Sequence, residues 1–227
     1  MPGSARADHR VLIVDDHVLF AESLELALSL EGYDVRRLEM PHEGGSMATL
    51  RSLALRANPR TVLLDLDLGR FGDGMNLIAP LARAHINVVV LTASEDLGRW
   101  GGCMRLGARR VVPKSGALQQ ALSTVRRLHQ GLPVTSSEEL EVLLDAWARQ
   151  RREHDDLRRR LDMLTPRERQ VLGALIEGRT VRAISEQSVV SEATVRTQVK
   201  SILSKLEVSS QLAAVGMANQ VGWKQGA

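Results

Sequence analysis

Thr61-Val-Leu-Leu-Asp65-Leu-Asp67-Leu-Gly69 is the stretch whose reading decides the fold. A short apolar run reaches Asp65 and passes into a loop rich in Gly and Asp, Gly69 to Gly74. Bounded by Pro59 and Gly69, the run reads as a strand buried on both faces. Asp65 then stands at its carboxyl end, where open α/β sheets gather their ligand chemistry. The ordinary alternative is a loop carboxylate or a helix cap, so the decision rests on the rest of the chain.

Working outward, the same pattern recurs. Arg10-Val-Leu-Ile-Val14 is a buried strand ending in Asp15-Asp16. Tyr33 to Leu38, Asn87 to Thr92 and Arg109 to Val112 complete five strands, with Lys114 following Pro113. Between and after them, helical spacing predicts His17–Glu31, a weaker Gly44–Ala57, Met75–Ala84 interrupted near Pro80, Asp96–Leu106 and Ser115–Gln130. Strands alternating with helices predict a five-stranded parallel sheet, doubly wound and covered on both faces.

From residue 131 the character changes. Gly131-Leu-Pro-Val-Thr-Ser-Ser breaks the fold, and a highly charged helical stretch runs on to Leu164. Heptad positions there hold Leu140, Leu143, Trp147, Gln150, His154, Leu157, Leu161 and Leu164. Two readings fit them: a coiled coil, or a single helix packed on one domain. Beyond lies a small all-α domain. Thr165-Pro-Arg-Glu168 is a capping box with proline at the first helical position. Val181–Gln187, Glu192–Leu206 and a helix from Ser209 or Ser210 to Gln220 follow. The expected organisation is a flexible N-terminus (1–9), a first domain (10–130), a helical linker (131–163), the all-α domain (164–222) and a tail (223–227).

Composition narrows the classes. With 227 residues, 25% of them charged, the chain fits one large globular domain or two small ones. The single cysteine, Cys103, excludes an intramolecular disulfide and suits a reducing cytoplasm. No run reaches the roughly 18 apolar residues of a membrane span. Aromatics make up only 3%, too few for recognition by base stacking.

A parallel sheet delivers Asp15, Asp16, Asp65, Thr92 and Lys114 to one edge. Three clustered carboxylates repel one another unless a hard cation intervenes. Mg²⁺ suits one or two carboxylates plus water and substrate oxygens. Lys114 and the Thr92 hydroxyl add donors for phosphate. Together these groups are equipped for aspartyl-phosphate formation. At these residues, 10–130 resembles a response-regulator receiver domain, a flavodoxin-like fold. The resemblance implies Asp65 as phosphoryl acceptor, and Asp15, Asp16, Asp65 and the Asp67 backbone carbonyl as Mg²⁺ ligands. It implies Thr92 as the switch hydroxyl and Lys114 as the phosphate-side lysine. The chain departs from the family in three places. Leu68-Gly69 replaces the usual Met-Pro in a loop one residue longer, Val111 stands at the aromatic switch position, and Pro113 precedes the lysine rather than following it.

The second domain resembles the LuxR-type helix-turn-helix output domain. The matching residues include Leu164-Thr165-Pro166-Arg167-Glu168-Arg169, Glu177-Gly178, Ile184-Ser185, Ser191 to Thr197 and Ile202 to Leu206. Ala183, Ile184, Val190, Val195, Val199, Ile202 and Leu206 are the expected core. Thr194, Arg196, Thr197, Gln198, Lys200 and Lys205 are the expected DNA-contacting residues, presented by the third helix of this domain. Gln198 replaces the family's histidine. Leu212, Val215 and Met217 of the last helix fit either a core or an interface.

The two resemblances imply a response regulator of the NarL/FixJ type, not an enzyme in the ordinary sense. Its expected partners are a sensor histidine kinase, promoter DNA and, when active, a second copy as homodimer. A regulator of the same architecture that works without phosphate is the nearer rival. A phosphatase of the haloacid-dehalogenase type is the remoter one; Asp65-Leu-Asp67 fits it, but the Gly-Thr expected next is Leu68-Gly69.

Overall fold

The computed structural model describes residues 9–41 and 44–224. Most of the expected N-terminus and the last three residues of the expected tail lie outside that range. Two compact units, 1–148 and 149–227, divide the chain.

In the first unit, β1 (Arg10–Val14), β2 (Asp34–Arg37), β3 (Thr61–Asp65), β4 (Asn87–Thr92) and β5 (Arg110–Pro113) form one sheet in the order β2-β1-β3-β4-β5. Every neighbouring pair is parallel. β3 is central and buried along its whole length, as an apolar run flanked by two apolar strands must be. One face packs on α1 (Val18–Leu30) and α5 (Ala117–His129), with Leu24, Leu28 and Val125 in the core. The other face packs on α2 (Met47–Ala57), α3 (Met75–Arg83) and α4 (Leu97–Arg105), around Leu50, Ile78 and Cys103. Burial pushes the Cys103 thiol up to about 12, which leaves it unreactive.

Local chemistry explains the boundaries. Ser46 and Thr49 form a capping box, so α2 starts at Met47 rather than at Gly44. Asp96 caps α4 by accepting the Arg99 N–H. Pro80, expected to interrupt α3, lies inside a helix that runs on to Arg83, at the cost of the bond to the Asn76 carbonyl.

The expected linker does not form a separate body. Helix α6 (Ser137–Asp162) is continuous, with its first half in the first unit and its second half in the other. Leu143 is buried in the first unit. Leu161 and Leu164 are buried in the core of the second, with Leu157 packed against it. Leu143, Leu157, Leu161 and Leu164 are thus packed within the chain.

The second unit continues with α7 (Pro166–Ile176), α8 (Val181–Ser188), α9 (Glu192–Leu206) and α10 (Gln211–Gln220). Thr165 and Glu168 make the predicted capping box. Val195, Val199, Ile202 and Leu206 form the α9 side of the core with Ile184. Ala183, expected there, is exposed; Ser185 takes the buried place and donates to the Arg182 carbonyl. Leu212, expected either way, is 82% exposed, while Ala214 and Ala218 are the buried residues of α10. Among the described residues, no helix is long and apolar enough to cross a membrane.

Candidate functional site

Asp65 closes β3 and is 3% exposed. Asp15 and Asp16 follow β1, Thr92 ends β4, and Lys114 follows β5, so one edge of the sheet collects all five residues. The Lys114 ammonium lies 2.7 Å from Asp65 Oδ2 and 2.8 Å from Asp15 Oδ2. The Asp67 amide donates to Asp65 Oδ1 at 3.2 Å. Thr92 Oγ1 accepts the Ser94 N–H at 3.1 Å.

The electrostatics follow from burial. Desolvation raises the Asp65 pKa, and the Asp15 charge adds to the rise against the opposing bond from Lys114. For Lys114, burial alone would lower the pKa, but its bonds to Asp15 and Asp65 outweigh burial and raise it. Asp65 is thus a poorly solvated carboxyl group that faces the Lys114 ammonium.

His17 joins the site, although nothing in its spacing marked it. Its amide donates to Asp15 Oδ1 at 2.8 Å, and this turn sets the exposed ring beside the carboxylates. Nδ1 then lies 3.0 Å from Asp16 Oδ1, 3.2 Å from Asp15 Oδ1 and 3.5 Å from Asp65 Oδ2. One ligand atom from each of Asp15, Asp16, His17 and Asp65 falls within 4.8 Å of the others. Clustered carboxylate oxygens of this dimension suit a hard divalent cation.

The loop after Asp65 explains its departures. Gly69 has φ +54°, which proline cannot adopt, and a Cβ there would sit 2.8 Å from Asp16 Oδ2. The loop then makes a 3₁₀ turn, Gly69–Phe71. Gly74 lies so close to the end of β3 that a Cβ would collide with the Asp65 carbonyl oxygen. Val111 is buried in the core on the α2–α4 face, and Trp100 of α4 packs against that same cluster.

In the second unit, Thr194, Arg196, Thr197 and Lys200 are exposed on α9 and Gln198 is half-buried. Arg196 pairs with the exposed Glu192, at 3.2 Å. Lys205, expected among the DNA contacts, is drawn elsewhere. Its ammonium lies 2.7 Å from Glu168 Oε2, while Ser201 and the Thr165 amide, each at 2.7 Å, complete the carboxylate's partners. Burial alone would raise the Glu168 pKa, but Lys205, then Ser201 and Thr165, bring it down to about 2.

This pairing of an acidic, lysine-bearing sheet edge with a capped helical domain has relatives. The family model for the response regulator receiver domain matches residues 11–126, and that for bacterial regulatory proteins of the luxR family matches 162–218. The nitrate/nitrite response regulator protein homolog of Haemophilus influenzae is 27% identical, over 90% of this chain and 93% of its own length. Transcriptional regulatory protein DegU of Brevibacillus brevis is 25% identical, over 94% of each. A solved structure of RcsB from Salmonella typhimurium matches at 22% identity and TM-score 0.48, covering 94% of this chain and 98% of that one. The chain belongs to the response regulators of the NarL/FixJ type, which join a receiver domain to a LuxR-type DNA-binding domain.

Proposed function

We propose that the chain is switched by phosphorylation of Asp65 and, in the switched state, binds promoter DNA as a homodimer in the cytoplasm. The observation that carries this reading is the buried Asp65 carboxylate, poorly solvated and faced by Lys114, on the sheet edge that also holds Asp15 and Asp16. A carboxylate oxygen of Asp65 attacks the phosphorus of a phosphohistidine on the sensor kinase. The new P–O bond forms as the P–N bond breaks, and the imidazole leaves. Lys114 offsets negative charge on the transferred oxygens, and the Thr92 hydroxyl donates to one of them. Mg²⁺, held by Asp15, Asp16, Asp65 and the Asp67 carbonyl, would supply further charge neutralisation.

On the output side, Thr194, Arg196, Thr197, Gln198 and Lys200 face the major groove from α9. Their exposure supports that role. Lys205 is assigned to Glu168 instead. The exposed Leu212 makes α10 a candidate dimer contact. The test is treatment of the full chain with a small phosphodonor and Mg²⁺, followed by intact mass and oligomer size. One phosphate of mass gain is expected, with a shift to dimer, and Asp65→Asn abolishes both. A gain retained in that variant, on another aspartate, would refute the assignment.

A further inference from the structure

Two adjacent glycines, Gly101 and Gly102, occupy the middle of α4, where each costs about 1 kcal/mol relative to alanine. Their use is close approach. A Cβ on Gly101 would collide with the Leu143 carbonyl oxygen and lie 2.8 Å from Trp147 Cβ. One on Gly102 would lie 3.3 Å from Trp147 Cδ1. The first half of α6 is thus seated directly on the α4 backbone. Arg105 adds its guanidinium over the Trp147 ring at 4.6 Å, and Leu143 is buried beneath. The segment leading into α6 is fixed as well. Thr135 donates to the Arg109 carbonyl at 2.9 Å, Arg110 to the Val134 carbonyl, and Val134 is buried.

The same α4 is tied to the phosphorylation site from two sides. Trp100 Nε1 donates to the Ser94 carbonyl at 2.8 Å, and Ser94 in turn donates its N–H to Thr92 Oγ1. Arg99 pairs at 3.1 Å with Asp73, whose segment bridges to Asp67 in the loop after Asp65.

We propose that the first half of α6 is a latch, and that a phosphoryl group on Asp65 weakens its seat on α4. The inference rests on the reading of Asp65 as acceptor. A phosphoryl group brings three strong acceptor oxygens beside Thr92. As the Thr92 hydroxyl turns toward them, its bond from Ser94 is lost, and the Ser94 carbonyl carries Trp100 and α4 with it. A seat packed against bare backbone has no side-chain slack to follow a shift of a few tenths of an ångström. Site occupancy and latch closure therefore oppose each other. By linkage, opening the latch must tighten binding at the site by the same factor. Helix α6 also carries Leu157 and Leu161 into the packing of the second unit, so the element released is the covalent path to the output domain.

The test uses the full chain with beryllofluoride and Mg²⁺, a non-covalent stand-in for the phosphoryl group, so that reciprocity applies to true binding constants. Gly101→Ala and Trp147→Ala open the latch. Val142→Ala, at an exposed position on the same helix, is the control. In the natural chain, beryllofluoride should speed amide exchange across residues 138–147. Both latch variants should bind it about fivefold or more tightly, the control unchanged. Arg105→Gln, which removes only the stacked cation, should shift affinity in the same direction by less. Affinities within twofold of the natural chain, in variants whose 138–147 amides already exchange fast, would overturn the latch alone. No beryllofluoride binding by the natural chain, together with no phosphate gain at Asp65, would remove the acceptor reading and the latch with it.

Discussion

Lys205 is the residue for which sequence and structure assign different work, and Lys205→Met separates them. In the folded chain Glu168 has its pKa brought from the ordinary 4.5 to about 2. At about 1.36 kcal/mol per tenfold, that drop corresponds to about 3 kcal/mol at neutral pH as a ceiling. The stabilisation is shared with Ser201 and Thr165, and the Lys205 side chain is 33% exposed, so water screens part of its contribution. Removing the ammonium should then cost the output domain about 1–2 kcal/mol, much of it from leaving a desolvated carboxylate short of a partner. Amide exchange at Val199 and Ile202, in the core of α9, reads this directly as a rise of roughly 5- to 30-fold. The pH dependence has a fixed sign. Because the folded pKa is depressed, the Glu168 contribution is complete above 4.5 and is lost as pH falls from 4.5 through about 2. In Lys205→Met the acid loss should begin from a lower stability and be smaller. The salt dependence of DNA binding should keep its slope, since no phosphate contact is removed. A slope flatter by about one, with exchange at Val199 and Ile202 unchanged, would return Lys205 to the DNA face.

Arg196→Ala and Lys200→Ala should each weaken DNA binding, and loss of a phosphate contact should flatten the salt slope by about one; unchanged binding in both would take α9 out of the groove. Val189 ends α8 at φ +54° and is 90% exposed, so Val189→Gly should raise the output domain's stability by about 0.5–1 kcal/mol, as a shift in its unfolding midpoint. Leu157→Asp with Leu161→Asp should lower output-domain stability by more than 3 kcal/mol, because Leu161 is fully buried in that core; loss of self-association with stability intact would instead favour the coiled coil.

What was legible in the sequence is what local chemistry encodes. The Asp65 strand announces itself because a strand covered on both faces must be apolar throughout. The sheet order then brings the polar strand ends to one edge without further information. The Thr165 box was equally readable, since its two partners are three residues apart. Contacts across long separations were not readable. The capping box predicts that Glu168 reaches back to the Thr165 amide, but nothing local says that its carboxylate also takes Lys205, 37 residues on. His17 was hidden because a turn made by Asp15, not any spacing rule, directs its ring. The heptad leucines announced a helix with an apolar side, but periodicity does not name the partner of that side. Gly101-Gly102 carries no local signal beyond a cost to the helix, since nothing in the sequence says which segment approaches that backbone.

Both domains contain a buried carboxylate facing a lysine, yet the two sites are opposite in kind. Glu168 accepts from Lys205, Ser201 and Thr165, so both oxygens are committed and its pKa falls. Such a group gains nothing by reacting and serves to fix α7 against α9. Asp65 has a lysine on one oxygen and one amide at 3.2 Å on the other, with Asp15 close by, and its pKa rises. Burial outweighs its hydrogen bonding, so its negative charge is poorly compensated, and losing that charge would relieve it. The difference lies in the number and quality of donors around each carboxylate, which is why one is read here as structural and the other as the place where the signal is written.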